Sequence, residues 1–377
     1  LDFYNPERTT PDASTHNYTG TITDHLTLGG GLLWASGDLV GAGRGPGDGI
    51  GLAVPQRLGE GPRRLVRREE GEIAVTQRGA VAAVYRVIPE QIKGFHELGL
   101  PAVIGTLADR PRGLILVTGP TGSGKSTTLA AMIDKINKER KGHIITVEDP
   151  IEFIHRHQGC IVNQREVGTD TKSFQASLKY ALRQDPDVIL IGEIRDLETM
   201  RMALTYALSG HLCLATLHAN NAYQAMNRVI SFFPLEVRPM LLQDLSVSLK
   251  AVISQRLIKT IAGGRTPAME VLLNTRNVQE LIEKGEITEI KEAMEKSMSP
   301  GSQTFEQDLF RLVRTGKITS DEGLANADSA TNLGLLLGNS GIMPAASDRA
   351  KAGTPSRPGA PSFGEFKIEE SQEEQRF

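Results

Sequence analysis

The stretch from Gly119 to Thr127 reads GPTGSGKST, which sets Gly119, Gly124, Lys125 and Ser126 at the spacing G-x-x-x-x-G-K-[ST]. These residue types at this spacing suit a polyphosphate. Glycine reaches positive φ without steric cost, so Gly119, Gly122 and Gly124 let the backbone curl closely around an anion and form a nest of amide hydrogens. Pro120, Thr121 and Ser123 fill the turn between them. Leu129, Ala130, Met132 and Ile133 then recur at helical spacing, which predicts a helix aiming its N-terminus at the same phosphates. Lys125 would bridge the β- and γ-phosphates of a nucleoside triphosphate, and Ser126 would ligate Mg²⁺. A glycine-rich turn that merely contained Lys-Ser would not need the apolar run GLILVT before it and the helical pattern after it.

Hydrolysis of such a ligand also needs a group to orient water and a carboxylate near the cation. In open α/β sheets ligands sit beyond the carboxyl ends of the strands. Three apolar runs end in suitable polar residues: TVEDPIE brings Glu148, Asp149 and Glu152, DVILIGEIRD brings Glu193, and LCLATLHAN brings His218. Glu193 follows its run directly and is assigned to Mg²⁺ or its water shell. Glu152, on a loop that can approach the γ-phosphate, is assigned as general base, and His218 as a donor to that phosphate. Any one acid alone would more commonly be a plain surface carboxylate; three strand ends meeting at one loop reverse those odds. His211 starts the last run and is expected about 20 Å from His218 along the strand, which favours a structural or interface role. The cluster HRHQGC (His155, His157, Cys160) has i, i+2 spacing and lacks a fourth ligand, so a metal there is the minor reading.

The elements that must hold these residues alternate from Gly113 onward. Strands are expected at Leu114–Thr118, His143–Glu148, Val188–Ile191 and Leu212–Leu217. Helices are expected near Lys125–Asn137, Ser173–Leu182 and Leu197–Leu208. Ile-, Val- and Leu-rich strands without polar alternation imply a parallel sheet covered on both faces, an α/β fold. After His218 the pattern reads as mainly helical, over Glu236–Ile253 and then near Val278–Lys284, Thr304–Arg314 and Ser320–Ala327. The expected division is 1–72, a segment of atypical composition; 73–111, the rest of an N-terminal domain with linker; 112–265, the nucleotide-binding domain; 266–338, mainly helical; and 339–377, a Pro/Ser/Gly/Ala-rich disordered tail. Between Gly29 and Gly61 lie twelve glycines among scattered prolines and arginines, a bias that reads as translation in a shifted frame. Two β-like stretches flank a turn at Arg78-Gly79.

Composition narrows the function classes. A net charge of −3, a pI near 6.3 and 5% aromatic residues argue against the basic, aromatic-lined groove of a nucleic-acid translocase. No apolar run reaches the ~18 residues of a membrane span, and LDFYNPERTT lacks the basic start and apolar core of a signal peptide. Cys160 and Cys213 are the only cysteines, which fits free thiols in a reducing cytoplasm and excludes a four-cysteine zinc element.

GPTGSGKSTTLAAMID, TVEDPIEFIHRH, NQREVGTDTKSF, LRQDPDVILIGEIRD and GHLCLATLHANNA together resemble the type IV pilus retraction ATPases, the PilT/PilU class of the secretion ATPase superfamily. CLATLHANNAYQAMNRVISFFP is closer to the PilU branch. The resemblance covers residues 73 to about 335. It implies a RecA-like P-loop NTPase core with C-terminal helices and a small N-terminal α/β PAS-like domain, which here would be degenerate. It implies ATP hydrolysis with Mg²⁺, an Asp box at Glu148–Glu152, a Walker B motif at Asp187–Glu193, and a His box that counts His211 as well as His218. Arg78 and Arg86 match the segment that supplies arginines to a neighbouring subunit. The implied partners are further copies in a hexameric ring, an inner-membrane pilus platform protein and a paralogous retraction ATPase. The implied location is cytoplasmic, peripheral at the inner-membrane pilus base. Competing readings are a type II secretion or pilus assembly ATPase, which usually carries the excluded zinc element, and a non-catalytic accessory subunit, against which the intact acid set argues.

Overall fold

The computed structural model describes residues 32–35, 66–68, 72–77, 80–84, 88, 91–296 and 299–341. Four short strands lie near the start: β1 (Leu32–Ala35), β2 (Val66–Arg68), β3 (Glu72–Gln77) and β4 (Ala80–Val84). They form an antiparallel sheet in the order β1-β4-β3-β2. Gln77 pairs with Ala80 in the antiparallel β3–β4 pair, and the expected turn at residues 78 and 79 lies outside the described residues. Arg78 and Arg86 themselves lie outside the described residues, as does the tail beyond Gly341.

Two short helices, α1 (Phe95–Leu98) and α2 (Ala102–Ala108), lead into a seven-stranded sheet. Its strands are β5 (Gly113–Thr118), β6 (Gly142–Glu148), β7 (Cys160–Glu166), β8 (Val188–Ile191), β9 (Leu212–Leu217), β10 (Leu249–Lys259) and β11 (Arg265–Leu273). They lie in the order β11-β10-β5-β9-β8-β6-β7, parallel throughout except for the edge pair β10–β11. Every residue of β5, β8 and β9 is buried, because helices cover both faces. One face packs α3 (Lys125–Glu139) through Met132, Ile133 and Ile136, beside α2. The other packs α4 (Phe174–Ala181), α5 (Leu197–Leu208), α6 (Ala222–Ser231) and α7 (Arg238–Ser248). Side-chain caps fix where several begin: Ser173 starts α4, Asp196 starts α5 and Asn221 starts α6, each accepting from a backbone amide three residues on.

The helical expectation over Glu236–Ile253 is corrected. Helix α7 stops at Ser248 and the chain passes directly into β10, with no glycine or proline between them. β10 pairs with the interior strand β5 from Leu249 to Ser254, and β11 carries the sheet past residue 265. The C-terminal helices follow: α8 (Arg276–Lys284), α9 (Ile290–Glu295), α10 (Phe305–Arg314), α11 (Ser320–Asn326) and α12 (Ala330–Asn339). Thr304 and Gln307 close a reciprocal capping box on α10. Helices α10 and α12 share a small core with Ile258 and Ala268 of the β10–β11 pair.

Candidate active site

The phosphate loop leaves β5 at Thr118 with Gly119, Gly122 and Gly124 at φ of 147°, 76° and 92°. Each lies where a side chain would be strained. Two also touch the neighbouring strand: a Cβ on Gly119 would sit 2.4 Å from the backbone oxygen of Gln255, and one on Gly124 2.7 Å from its side-chain nitrogen. At Gly122 nothing lies within 4 Å, so the loop there borders open space. Lys125 Nζ donates to the carbonyl oxygens of Gly119, at 2.9 Å, and Pro120, at 3.1 Å. Burial pushes its ammonium below the ordinary lysine value, opposed by the charges of Glu193 and Glu152.

The other candidate groups arrive from neighbouring strand ends. Gly192 follows β8 at a close approach, where a Cβ would meet Val147 O and Glu148 Cα at 3.1 Å. Its amide donates to Val147 O, Thr216 Oγ1 donates to its carbonyl, and Ile194 N donates to Thr216 O. Glu193 is thereby fixed from both sides. One of its oxygens lies 3.2 Å from His218 Nε2 and the other accepts from Arg195 Nε at 2.7 Å. Arg195 also reaches Asp149 at 3.6 Å. Glu148 accepts from Thr146 Oγ1 and Gln164 Nε2, and burial raises its carboxyl above the usual range. A cleft of about 530 Å³ is lined by the loop from Thr121 to Thr127, by Glu148, Asp149 and Glu152, and by Glu193 and His218. The three strand ends named from sequence therefore meet at one loop.

His211 is elsewhere. It stands before β9, at the strand end opposite His218, with its Nδ1 3.1 Å from Ser209 Oγ and its ring edge-on to Tyr206 at 5.8 Å. In HRHQGC, His157 Nδ1 accepts from Val162 N, burial lowers His155 to about 4, and Cys160 Sγ donates to Arg140 O. Gln255 escaped the sequence reading. Its Oε1 accepts from Thr128 Oγ1 at 2.7 Å, so a buried amide on β10 braces the first turn of α3. The one trace in the sequence is a polar Ser-Gln-Arg inside the apolar run AVISQRLI.

The site fits a nucleoside triphosphate: a loop held open by three positive-φ glycines, with a lysine that donates to the loop's own carbonyls. Among the described residues no three His, Cys, Asp or Glu side chains gather to hold a metal.

Comparison with known proteins agrees with this geometry. The model of the family described as "Type II/IV secretion system protein" matches residues 91–323. The chain belongs to that family. It is 53% identical over 265 residues to the type IV pilus ATPase PilU of Pseudomonas aeruginosa, covering 70% of this chain and 69% of that one. It is 47% identical to the PilT retraction ATPase of the same organism, over 69% of this chain and 75% of that one. A crystal structure of the pilus retraction motor PilT with bound ADP superposes with a TM-score of 0.65 at 39% identity, covering 82% of each chain.

Proposed function

We propose that the chain is an ATPase motor subunit that drives type IV pilus retraction, the activity of twitching motility. The observation that carries this reading is the cleft in which Lys125, Ser126, Glu152, Glu193 and His218 line one phosphate loop. Lys125 places its charge on the β- and γ-phosphates of ATP. Glu152 accepts the proton of the attacking water, and His218 donates to the γ-phosphate. Ser126 and Glu193 would hold Mg²⁺, which supplies positive charge to the β- and γ-oxygens when bound. Arg78 or Arg86 from a neighbouring copy adds charge in the transition state, a contribution of ~10³–10⁵ in rate where such arginines act.

A shared site of that kind implies a closed homo-oligomer, and we assign a hexamer. Its partners would be a membrane platform protein and a paralogous retraction ATPase, at the cytoplasmic side of the inner membrane. His211 would serve the interface or the fold of β9. Residues 112–265 would form the catalytic domain, 266–338 the helical arm and 73–111 the link to residues 1–72. The test pairs a purified Lys125→Ala chain with a strain lacking the gene. Expected are loss of ATP hydrolysis in the variant and excess, non-retracting pili in the strain. Hydrolysis at the parent rate would overturn the loop assignment, and absence of pili would point to assembly instead.

A further inference from the structure

Strand β10 touches the phosphate loop on one side and the C-terminal helices on the other, through consecutive residues. Ser254 accepts from Thr118 Oγ1 at 3.0 Å, at the last residue before the loop. Gln255, 3% exposed, receives the Thr128 hydroxyl with its Oε1, while its backbone oxygen and its Nε2 lie against Gly119 and Gly124. Arg256 turns the other way. Its guanidinium lies 3.9 Å above the Phe305 ring, donates to Asn326 O and pairs with Asp328. It also donates to Asn220 O at 3.2 Å, two residues past His218, and Asn221 Nδ2 donates to the other oxygen of Asp328 at 2.7 Å.

Between the phosphate loop and residues 325–328 lies a cavity of about 700 Å³ with Arg256 in its wall. Loop and residues 325–328 thus face each other across a space, and Arg256 in its wall is bonded to the 326–328 side, while α10 and α12 pack on the far end of the same strand through Ile258. Half-buried on both partners, the Arg256–Asp328 pair is shielded from full solvent screening. A guanidinium that satisfies a carboxylate, two carbonyls and a ring at once leaves several groups unpaired when it moves.

We propose that Gln255 and Arg256 form a two-sided tie coupling nucleotide in the phosphate loop to helices α10–α12. Gln255 is the positioning residue for the loop, and Arg256 carries its displacement to segment 326–328 and to the turn after His218. The inference rests on the reading of the cleft as an ATP site. Coupling of this kind requires that nucleotide change the stability of the distant element, and that removing the link abolish the change while binding persists.

Amide hydrogen exchange of the full chain, with and without a non-hydrolysable ATP analogue at concentrations saturating for each variant, reads this directly. In the parent chain the analogue should slow exchange within residues 305–339 several-fold. Arg256→Gln, and the milder Asp328→Asn, should bind analogue and lose that protection, while protection of the loop remains. On the loop side Gln255→Leu should weaken nucleotide binding by about tenfold, a loss that Gln255→Glu, which keeps the acceptor for Thr128, largely restores. Thr128→Val should weaken binding alike, and combining it with Gln255→Leu should add little, because both remove one hydrogen bond. A parent chain that binds no analogue would overturn the ATP reading and this inference with it. A parent that binds it without protecting 305–339, or an Arg256→Gln chain that keeps the protection, would overturn the coupling alone.

Discussion

Glu152 and Glu193 reach the same cleft by different means. Glu193 is fixed between two strands and bonded to His218 and Arg195, whereas Glu152 lies on the segment after β6. A base on a loop can approach a bound γ-phosphate without disturbing the sheet. Glu152→Gln keeps the shape and removes the basic oxygen, so single-turnover hydrolysis should slow by ~10²–10⁴ while ATP binding is retained. Loss of binding with chemistry intact would transfer the role to Glu193. A third carboxylate, Glu270 on β11, accepts from Ala222 N at 2.6 Å, and burial pushes it up to about 7. Because that value lies above the unfolded one, the folded chain holds this proton more tightly. Its stabilising contribution is complete below about pH 4.5 and is lost as pH rises toward 7. Glu270→Gln should therefore raise the unfolding free energy from urea titration at pH 8, by on the order of 2–4 kcal/mol, and change it little at pH 5. Equal effects at the two pH values would contradict this account.

At the scale of elements, the phosphate loop separates two costs that a glycine can hide. Gly122→Ala meets no atom within 4 Å but must hold φ at 76°, so it should cost about 1–2 kcal/mol in stability. Gly119→Ala adds a collision with the backbone of Gln255 and should cost measurably more by urea titration. Similar midpoints would show that β10 yields to the loop. The strands that carry the site were legible because β5, β6, β8 and β9 are near-continuous apolar runs ending in chemistry-bearing residues. β10 was not, because α7 passes straight into it and its polar Ser254 and Gln255 are buried through partners far away in sequence. β7, with exposed and buried residues alternating, and β11, with Glu270 inside an apolar run, were missed for related reasons. Gln255 was invisible in role since only the folded strand order sets it against Thr128.

For the whole molecule, the proposed arginines belong to one copy and the phosphate loop to another. Arg78→Ala or Arg86→Ala should lower turnover without weakening ATP binding, because the lost charge acts mainly in the transition state. Mixed with Lys125→Ala, such a chain should recover part of its activity, since each variant damages a different half of a shared site. No recovery in mixed assemblies would place both groups in one subunit. At the other end, Leu333 and Leu337 of α12 are fully buried against α10 and β10. Removing residues 342–377 should leave the urea midpoint unchanged, whereas a cut before Ala330 should lower the unfolding free energy by several kcal/mol. A midpoint that drops with the shorter deletion would show that the tail packs on the core.

The two histidines that bracket β9 stand seven positions apart, the strand itself filling the interval. His211 anchors one end, where its carbonyl receives Gly113 N at the entry of β5, and His218 emerges at the other beside Glu193. Side chains alternate faces along a strand, so this interval acts as a ruler with a parity. Exchanging Leu214 for another apolar residue keeps the measure. Losing a single residue between Leu212 and Leu217 would shorten it by about 3.3 Å and turn His218 toward the opposite face of the sheet.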